Sequence, residues 1–261
     1  MSVDKPVLTI DRPEEGIARI GLNRPEKRNA LDPELRLALI DGIGAVLEDS
    51  SVRAVILAGN GGHFCAGGDI ASMEGLDAQA GRARMKSNHR MVRLIAEAEK
   101  PVVAAVEGYA VGAGAGIALL ADTVAIAETG AIGFPFFKVG LIPDYAILHT
   151  LPRRVGAARA RQILLYARML RGAEAVEAGL ADELAPEGGA EAVALERARE
   201  LAAMPALAFA LAKQQIGLAP VSLEAALEME ALGQASNFTT ADFAEGRAAF
   251  REKRAPDFRR S

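Results

Sequence analysis

Two stretches of this chain carry residues whose types and spacing could do chemistry. The first is Pro101–Asp122, PVVAAVEGYAVGAGAGIALLAD, in which Gly112, Gly114 and Gly116 alternate with alanines. Nothing larger than a methyl group crowds the backbone there, so a ligand can approach main-chain N–H groups closely. The first N–H groups of a helix have no internal partner and carry the positive end of its dipole, which favours an oxygen that holds or gains negative charge. Close helix–sheet packing asks for the same alternation, and on this stretch alone both readings stand. A dinucleotide-binding loop does not fit, because Ile117 takes the place of the third glycine in G-x-G-x-x-G. The second stretch is GLIPD, ending in Asp144 and following Phe134, Phe136 and Phe137. A carboxylate among aromatic rings has its pKa raised by desolvation, which suits a general base. The same residue could instead cap a helix starting at Tyr145.

The other candidates are weaker. Glu107 closes the strand of the first stretch and is the alternative acid. His63 reads as a loop residue, His89 lies on a polar helix, and His149 stands one turn beyond Asp144. Cys65 has no base partner in sequence and reads as a small buried residue. No His, Cys and Asp cluster has metal-ligand spacing, so no metal is expected.

These residues need elements to hold them. Val7–Ile10 and Ile17–Leu22 have a hairpin pattern. Asp32-Pro33 is an N-cap followed by proline at the first helical position, and the helix it starts runs to about Glu48 with Leu35, Leu39, Ile43, Val46 and Leu47 as its apolar stripe. Val52–Leu57 predicts a strand leading into GNGGHFCAGGDI, with a polar helix following over roughly 81–98. Val102–Val106 predicts a buried strand and Ala113–Ala121 a buried helix; Thr123–Ala127 predicts the next strand. Strand, glycine-rich loop and helix recur, which predicts an α/β core with its loops gathered at one end of the sheet. Beyond Gly156 helix follows helix: about 157–170, 173–178, 191–203, 205–216, 223–233 and 241–253, broken by a short strand near Asp182–Leu184. The expected division is a core of 1–190 and a helical region of 191–261.

At 261 residues the chain has ample material for a core. With 51% hydrophobic and 25% charged residues it has the composition of a soluble globular enzyme. A formal net charge of −4 argues against nucleic acid or an anionic membrane as partner. One cysteine excludes an intrachain disulfide, and the N-terminal residues have no targeting character. The expected location is the cytoplasm.

NRPEKRNAL, FCAGGDI, PVVAAVEGYAVGAGAGIALLAD, FKVGLIPD and EGRAAFREKRAPDF together resemble the crotonase (enoyl-CoA hydratase/isomerase) superfamily in order and spacing, over nearly the whole chain. The resemblance implies an α/β fold, a crotonase-like spiral of ββα units with a C-terminal helical trimerisation region, and an acyl-CoA thioester as substrate. It implies an oxyanion hole from the backbone N–H groups of Gly68 and Ala113. It places Arg28, Ala30, Ala66, Asp69, Ile70, Gly112, Phe136, Leu141 and Lys253 near substrate or coenzyme A, Lys253 meeting a phosphate. Asp69 also caps the helix behind the loop. No cofactor is implied beyond the coenzyme A of the substrate, and the expected assembly is a homotrimer or a dimer of trimers.

The sequence departs from the family's hydratases, whose two catalytic glutamates correspond to Gly116 and Phe136 here. Asp144 matches the single aspartate of dienoyl-CoA and phenylacetate-type ring-epoxide isomerases, and of aryl-CoA dehalogenases. The expected function is therefore an acyl-CoA isomerase with Asp144 as acid/base. Hydratase-like, hydrolytic or dehalogenating activity is the alternative, as is a non-catalytic acyl-CoA-binding role. The run Tyr145-Ala146-Ile147 stands where relatives place small residues, so an altered acyl pocket is expected.

Overall fold

Long apolar runs in this chain become strands that are buried on both faces. The computed structural model describes residues 5–218 and 220–258. Strands β1 (Leu8–Glu14) and β2 (Ile17–Leu22) form the expected hairpin. Helix α1 (Pro33–Glu48) starts as expected, with the Asp32 carboxylate accepting from Leu35 N at 2.8 Å. Strand β3 (Ala54–Gly59), helix α2 (Ala78–Ala96), strands β4 (Val102–Val106) and β5 (Tyr109–Val111), and helix α3 (Ala113–Leu119) follow. Then come β6 (Thr123–Ala127), β7 (Ala131–Gly133), α4 (Ile147–Val155), α5 (Ala157–Leu165), β8 (Met169–Arg171), α6 (Gly172–Glu177) and β9 (Glu183–Ala185). Four helices close the described chain: α7 (Ala190–Ala202), α8 (Ala206–Leu218), α9 (Leu223–Asn237) and α10 (Ala241–Glu252).

The main sheet has the order β1-β2-β3-β4-β6-β9, parallel except for the first pair. Its two faces pack against different helices, and the second is the richer in alanine, with Ile17, Ile56 and Val103 as its larger side chains. Val55, Leu57, Val102, Val106, Val124 and Ile126 point into the larger core with α1, α2 and α3. Ala54, Ala58, Ala105, Ala125 and Ala127 point the other way, against Ala190, Ala194 and Ala198 of α7. Alanines spaced four apart form one helix face, and small residues on both sides let α7 lie close to the sheet. The residue-190 division thus falls at the start of a helix that packs on the sheet.

A second sheet, β5-β7-β8, went unanticipated. Each strand is three residues long, too short for any periodicity, and each exists through its pairing: Tyr109↔Ala131, Ile132↔Leu170. Its role is to hold β5 and thereby the start of α3, since Gly112 N donates to Gly133 O at 2.9 Å. Two further expectations fail locally. The helix expected through Leu170 ends at Leu165, because Ala167 turns left-handed (φ 46°) and the chain enters β8. No helix starts at Tyr145, because Tyr145 and Ala146 are both left-handed (φ 48° and 59°); α4 begins at Ile147.

Candidate active site

Two glycine-rich loops are brought side by side by backbone bonds. Cys65 N donates to Tyr109 O and Val111 N to Cys65 O, at 2.8 and 2.9 Å, which lays residues 64–66 along β5 as an extra strand. On their other side Leu31 N donates to Gly67 O and Asp69 N to Leu31 O. That parallel bridge uses Leu31 twice and leaves the Gly68 N–H out. Ala113 is the first residue of α3, so its N–H has no intrahelical partner. Among the described residues neither N–H makes a hydrogen bond. They belong to adjacent loops: a Cβ at Gly67 would lie 2.9 Å from Val111 O and 3.9 Å from Ala113 N. The alternating glycines answer both readings of the sequence. A Cβ on Gly114 would collide with the Cys65 carbonyl, whereas one on Gly112 would meet only Phe136 Cζ, at 3.8 Å. Gly114 is there for packing, and Gly112, the helix cap at φ 56°, for the turn.

Asp144 lies in the loop that leads into α4. Its carbonyl accepts from Ile147 N at 3.1 Å, but its carboxylate caps nothing, and Oδ1 is buried with no partner. Desolvation is the largest influence on this carboxyl, opposed first by its own backbone N–H and then by Arg84; the outcome is a pKa raised to about 6. Gly116 has Tyr145 against it, the Cβ position lying 2.5 Å from Tyr145 Cβ, so no side chain fits there. Tyr145 itself is buried, and burial followed by the Asp144 charge pushes its hydroxyl above the ordinary tyrosine pKa. Arg84 on α2 links the two sides. Its Nη2 would be 3.9 Å from a Cβ on Gly68, and it is electrostatically coupled to Asp144, Tyr145 and Asp69.

The other expected residues surround this centre. Asp69 accepts from Ala71 N at 3.2 Å and caps the short 3-10 turn Ile70–Met73. Ile70 and Leu141 are exposed, Phe136 is buried beside Gly112, and Ala30 and Ala66 are half-buried. Ala66 N donates to Arg28 O at 2.9 Å, and the Arg28 guanidinium lies 5.7 Å above the Tyr109 ring. His63 stacks on the same ring at 5.0 Å, and Tyr109 N donates to its Nδ1 at 3.3 Å. Lys253 ends α10 and is exposed.

Two alternatives lose ground. Glu107 accepts from Ala190 N at 2.8 Å, so its carboxylate anchors the start of α7. Cys65 is fully buried, and desolvation pushes its thiol up to about 12, which leaves no thiolate. Among the described residues no group of three His, Cys, Asp or Glu could hold a metal ion, and no single helix is long and apolar enough to cross a membrane.

Sequence reasoning passed over four polar residues. Asn29 is fully buried and its amide donates to Asn60 O and His63 O at 3.0 and 2.6 Å, pinning the Arg28 loop to the loop before Cys65. Arg36, Arg84 and Asn88 come from α1 and α2. The signal for Arg36 was legible: it stands at the spacing of Leu39 and Ile43, on the buried stripe of α1, where a charge is out of place.

The profile of the family described as enoyl-CoA hydratase/isomerase matches residues 12–261. The chain belongs to that family. A probable enoyl-CoA hydratase of Rhodobacter capsulatus is 38% identical over 249 residues, 94% of this chain and 95% of that protein. The 1,2-epoxyphenylacetyl-CoA isomerase of Escherichia coli is 34% identical over 250 residues, again 94% of this chain and 95% of its own. The crystal structure of an enoyl-CoA hydratase from Bacillus anthracis superposes with a TM-score of 0.91 at 30% identity, covering 97% of this chain and 98% of the other. The fold is that of the crotonases, as the sequence resemblance implied.

Proposed function

We propose that the protein is an acyl-CoA isomerase. The Gly68 and Ala113 N–H groups receive the thioester oxygen, and Asp144 moves a proton between carbons of the acyl chain. The reading rests on one observation: Asp144 presents a buried, unpartnered carboxyl oxygen beside Arg84, whose guanidinium also reaches the Gly68 loop, where two backbone donors stand unpartnered. Removing a proton next to a thioester carbonyl places negative charge on the oxygen as an enolate forms. Fixed donors aimed at that oxygen stabilise the charge where it develops, each by a factor of about 10²–10³. Asp144 then holds the proton and returns it to a second carbon, for which one carboxylate is enough. Hydration uses a second acid–base group. Tyr145 fills the space beside Gly116 and Phe136 occupies the other glutamate position, so Asp144 is the carboxylate that remains. Arg28 would line the adenine and pantetheine, and Lys253, at the end of α10, would meet a coenzyme A phosphate. The exposed Leu223, Leu227, Leu232 and Phe238 of the C-terminal helices would be covered in a homotrimer, which sedimentation at micromolar concentration would detect against a monomer.

The test is a panel of 2-enoyl and 3-enoyl thioesters of coenzyme A followed in deuterated water. Deuterium at C2 and C4 with a shifted double bond supports the isomerase. Net addition of water makes the enzyme a hydratase, and binding without exchange makes it a carrier of acyl-CoA.

A further inference from the structure

Arg36 is a buried charge on the apolar face of α1. The residue is 7% exposed, Nε and Nη1 are sealed from solvent, and neither has a hydrogen-bond partner. No carboxylate lies within ion-pair distance of it among the described residues. On α2, which packs against α1, the Asn88 amide is 2% exposed; its oxygen has no donor and its nitrogen has only Met85 Sδ, at 4.0 Å. Arg84, one turn before Asn88 on α2, spends one nitrogen on Ser72 Oγ at 3.3 Å. Arg36 is electrostatically coupled to Arg84 and Tyr145, and Arg84 to Asp144 and Tyr145. Arg84 is thus the cation beside the acid–base carboxylate, and Arg36 stands next to Arg84 and Tyr145.

A buried charge is stable when it is paired and hydrogen-bonded, and removing a partner from a buried pair is strongly unfavourable. Arg36 stands in the condition of a pair that lacks its second member. Its position says what that member belongs to. It lies by Tyr145, the chain neighbour of Asp144, whereas Arg28 lies over Tyr109. The missing acceptor therefore comes with the acyl group.

We propose that Arg36, Arg84 and Asn88 form a subsite for an acyl group that ends in a carboxylate, so that the substrate is the thioester of a dicarboxylic acid. The inference rests on the acyl-CoA reading and deepens it. Guanidinium groups pair with carboxylates in planar, charge-assisted hydrogen bonds, which a methyl-terminated chain cannot supply.

The experiment uses paired 2-enoyl-CoA probes of six and eight carbons, ending in methyl or in carboxylate, with kcat/KM for C4 exchange and calorimetric Kd as readouts. At the best chain length the carboxylate probe should lead by about 10–100-fold, the span of one to two charge-assisted hydrogen bonds. Arg36→Met should cut that preference at least tenfold through KM of the carboxylate probe, and should raise the melting temperature of the free protein by removing an unpaired charge. Arg36→Lys keeps charge without the planar fork and should fall between. A methyl probe preferred by the parent, or a preference unchanged in Arg36→Met, overturns the subsite while the acyl-CoA reading survives. If neither probe binds, the acyl-CoA reading fails and the subsite with it.

Discussion

Around Gly68 and Ala113 the fixed partners are backbone groups; around Asp144 they are side chains from three segments. The first side is held by a ladder: Leu31 to Gly67, Asp69 to Leu31, Cys65 to Tyr109 and Gly112 to Gly133. Every one of those donors and acceptors is satisfied, and the two N–H groups left over stand where two loops meet. The second side brings Arg36 from α1, Arg84 and Asn88 from α2 and Asp144-Tyr145 from the loop before α4, and it leaves three of these with unpartnered buried atoms. The contrast separates what must not change from what can. A hole for an oxygen can be shared by every acyl thioester and is built from groups that substitution does not remove. A face that touches the variable acyl group is built from groups that substitution alters one at a time.

The sharpest way to test that division is Asp144→Asn. The amide keeps the size of the carboxylate and cannot carry the proton, so exchange and isomerisation should fall by about 10²–10⁴-fold with acyl-CoA affinity retained. The parent rate in this variant would remove Asp144 from the chemistry. Since Glu107 is committed to Ala190 N, no second carboxylate in the central strand stands ready to replace it.

On the backbone side, the donor itself has to be deleted. Ala113→Pro removes the N–H at the first position of α3, where proline is tolerated and Gly112 is not in a helical conformation. Turnover should fall by about 10²–10³-fold, the worth of one oxyanion donor, while circular dichroism stays at the parental value. Turnover near the parent's would exclude Ala113 from the site.

A smaller effect separates packing from function within the glycines. Gly114→Ala drives a methyl into the Cys65 carbonyl, a backbone atom that cannot swing away, and should cost about 1–3 kcal/mol in chemical denaturation. Gly68→Ala meets the mobile end of Met73, Cε at 2.5 Å, and should cost clearly less. Equal losses would mean that the loop around Gly68 is as rigid as the helix start.

The backbone side was legible in the sequence because its physics is local. Gly112 to Gly116 announce a close approach within five residues, Asp32-Pro33 announces a helix start, and Val102–Val106 announces a buried strand that forms with those limits. The other side was legible only as single residues. Asp144 could be named, yet its freedom from capping depends on two consecutive left-handed residues, Tyr145 and Ala146, which neither side chain favours. Arg36 and Arg84 are forty-eight positions apart by number and meet only because α1 packs on α2. Strands β5, β7 and β8 were invisible for the same reason: three residues carry no pattern, and their pairing is tertiary.

The smallest effect tests both readings of Asp144 in one protein pair. In the unfolded chain this carboxyl ionises at its ordinary pKa of 3.8; in the folded protein, burial raises that to about 6. Between those values the folded state binds the extra proton, so stability from this group is complete below about pH 4 and is lost as pH rises through 6. Two pKa units correspond to about 3 kcal/mol, and partial solvent access reduces that to about 1–2. Asp144→Asn does not titrate. All other groups are common to both proteins and cancel in the difference, so the variant should gain on the parent by that amount between pH 4.5 and 7.5 in thermal or urea denaturation. The rate of deuterium exchange should move the opposite way, rising with ionisation of the base to a plateau above about pH 6. Parallel stability curves for parent and variant would show that Asp144 is solvated and ordinary. Opposed slopes with one midpoint would tie the lost stability and the gained activity to the same carboxyl, because desolvation is what raises the pKa and what a base at this position must be given.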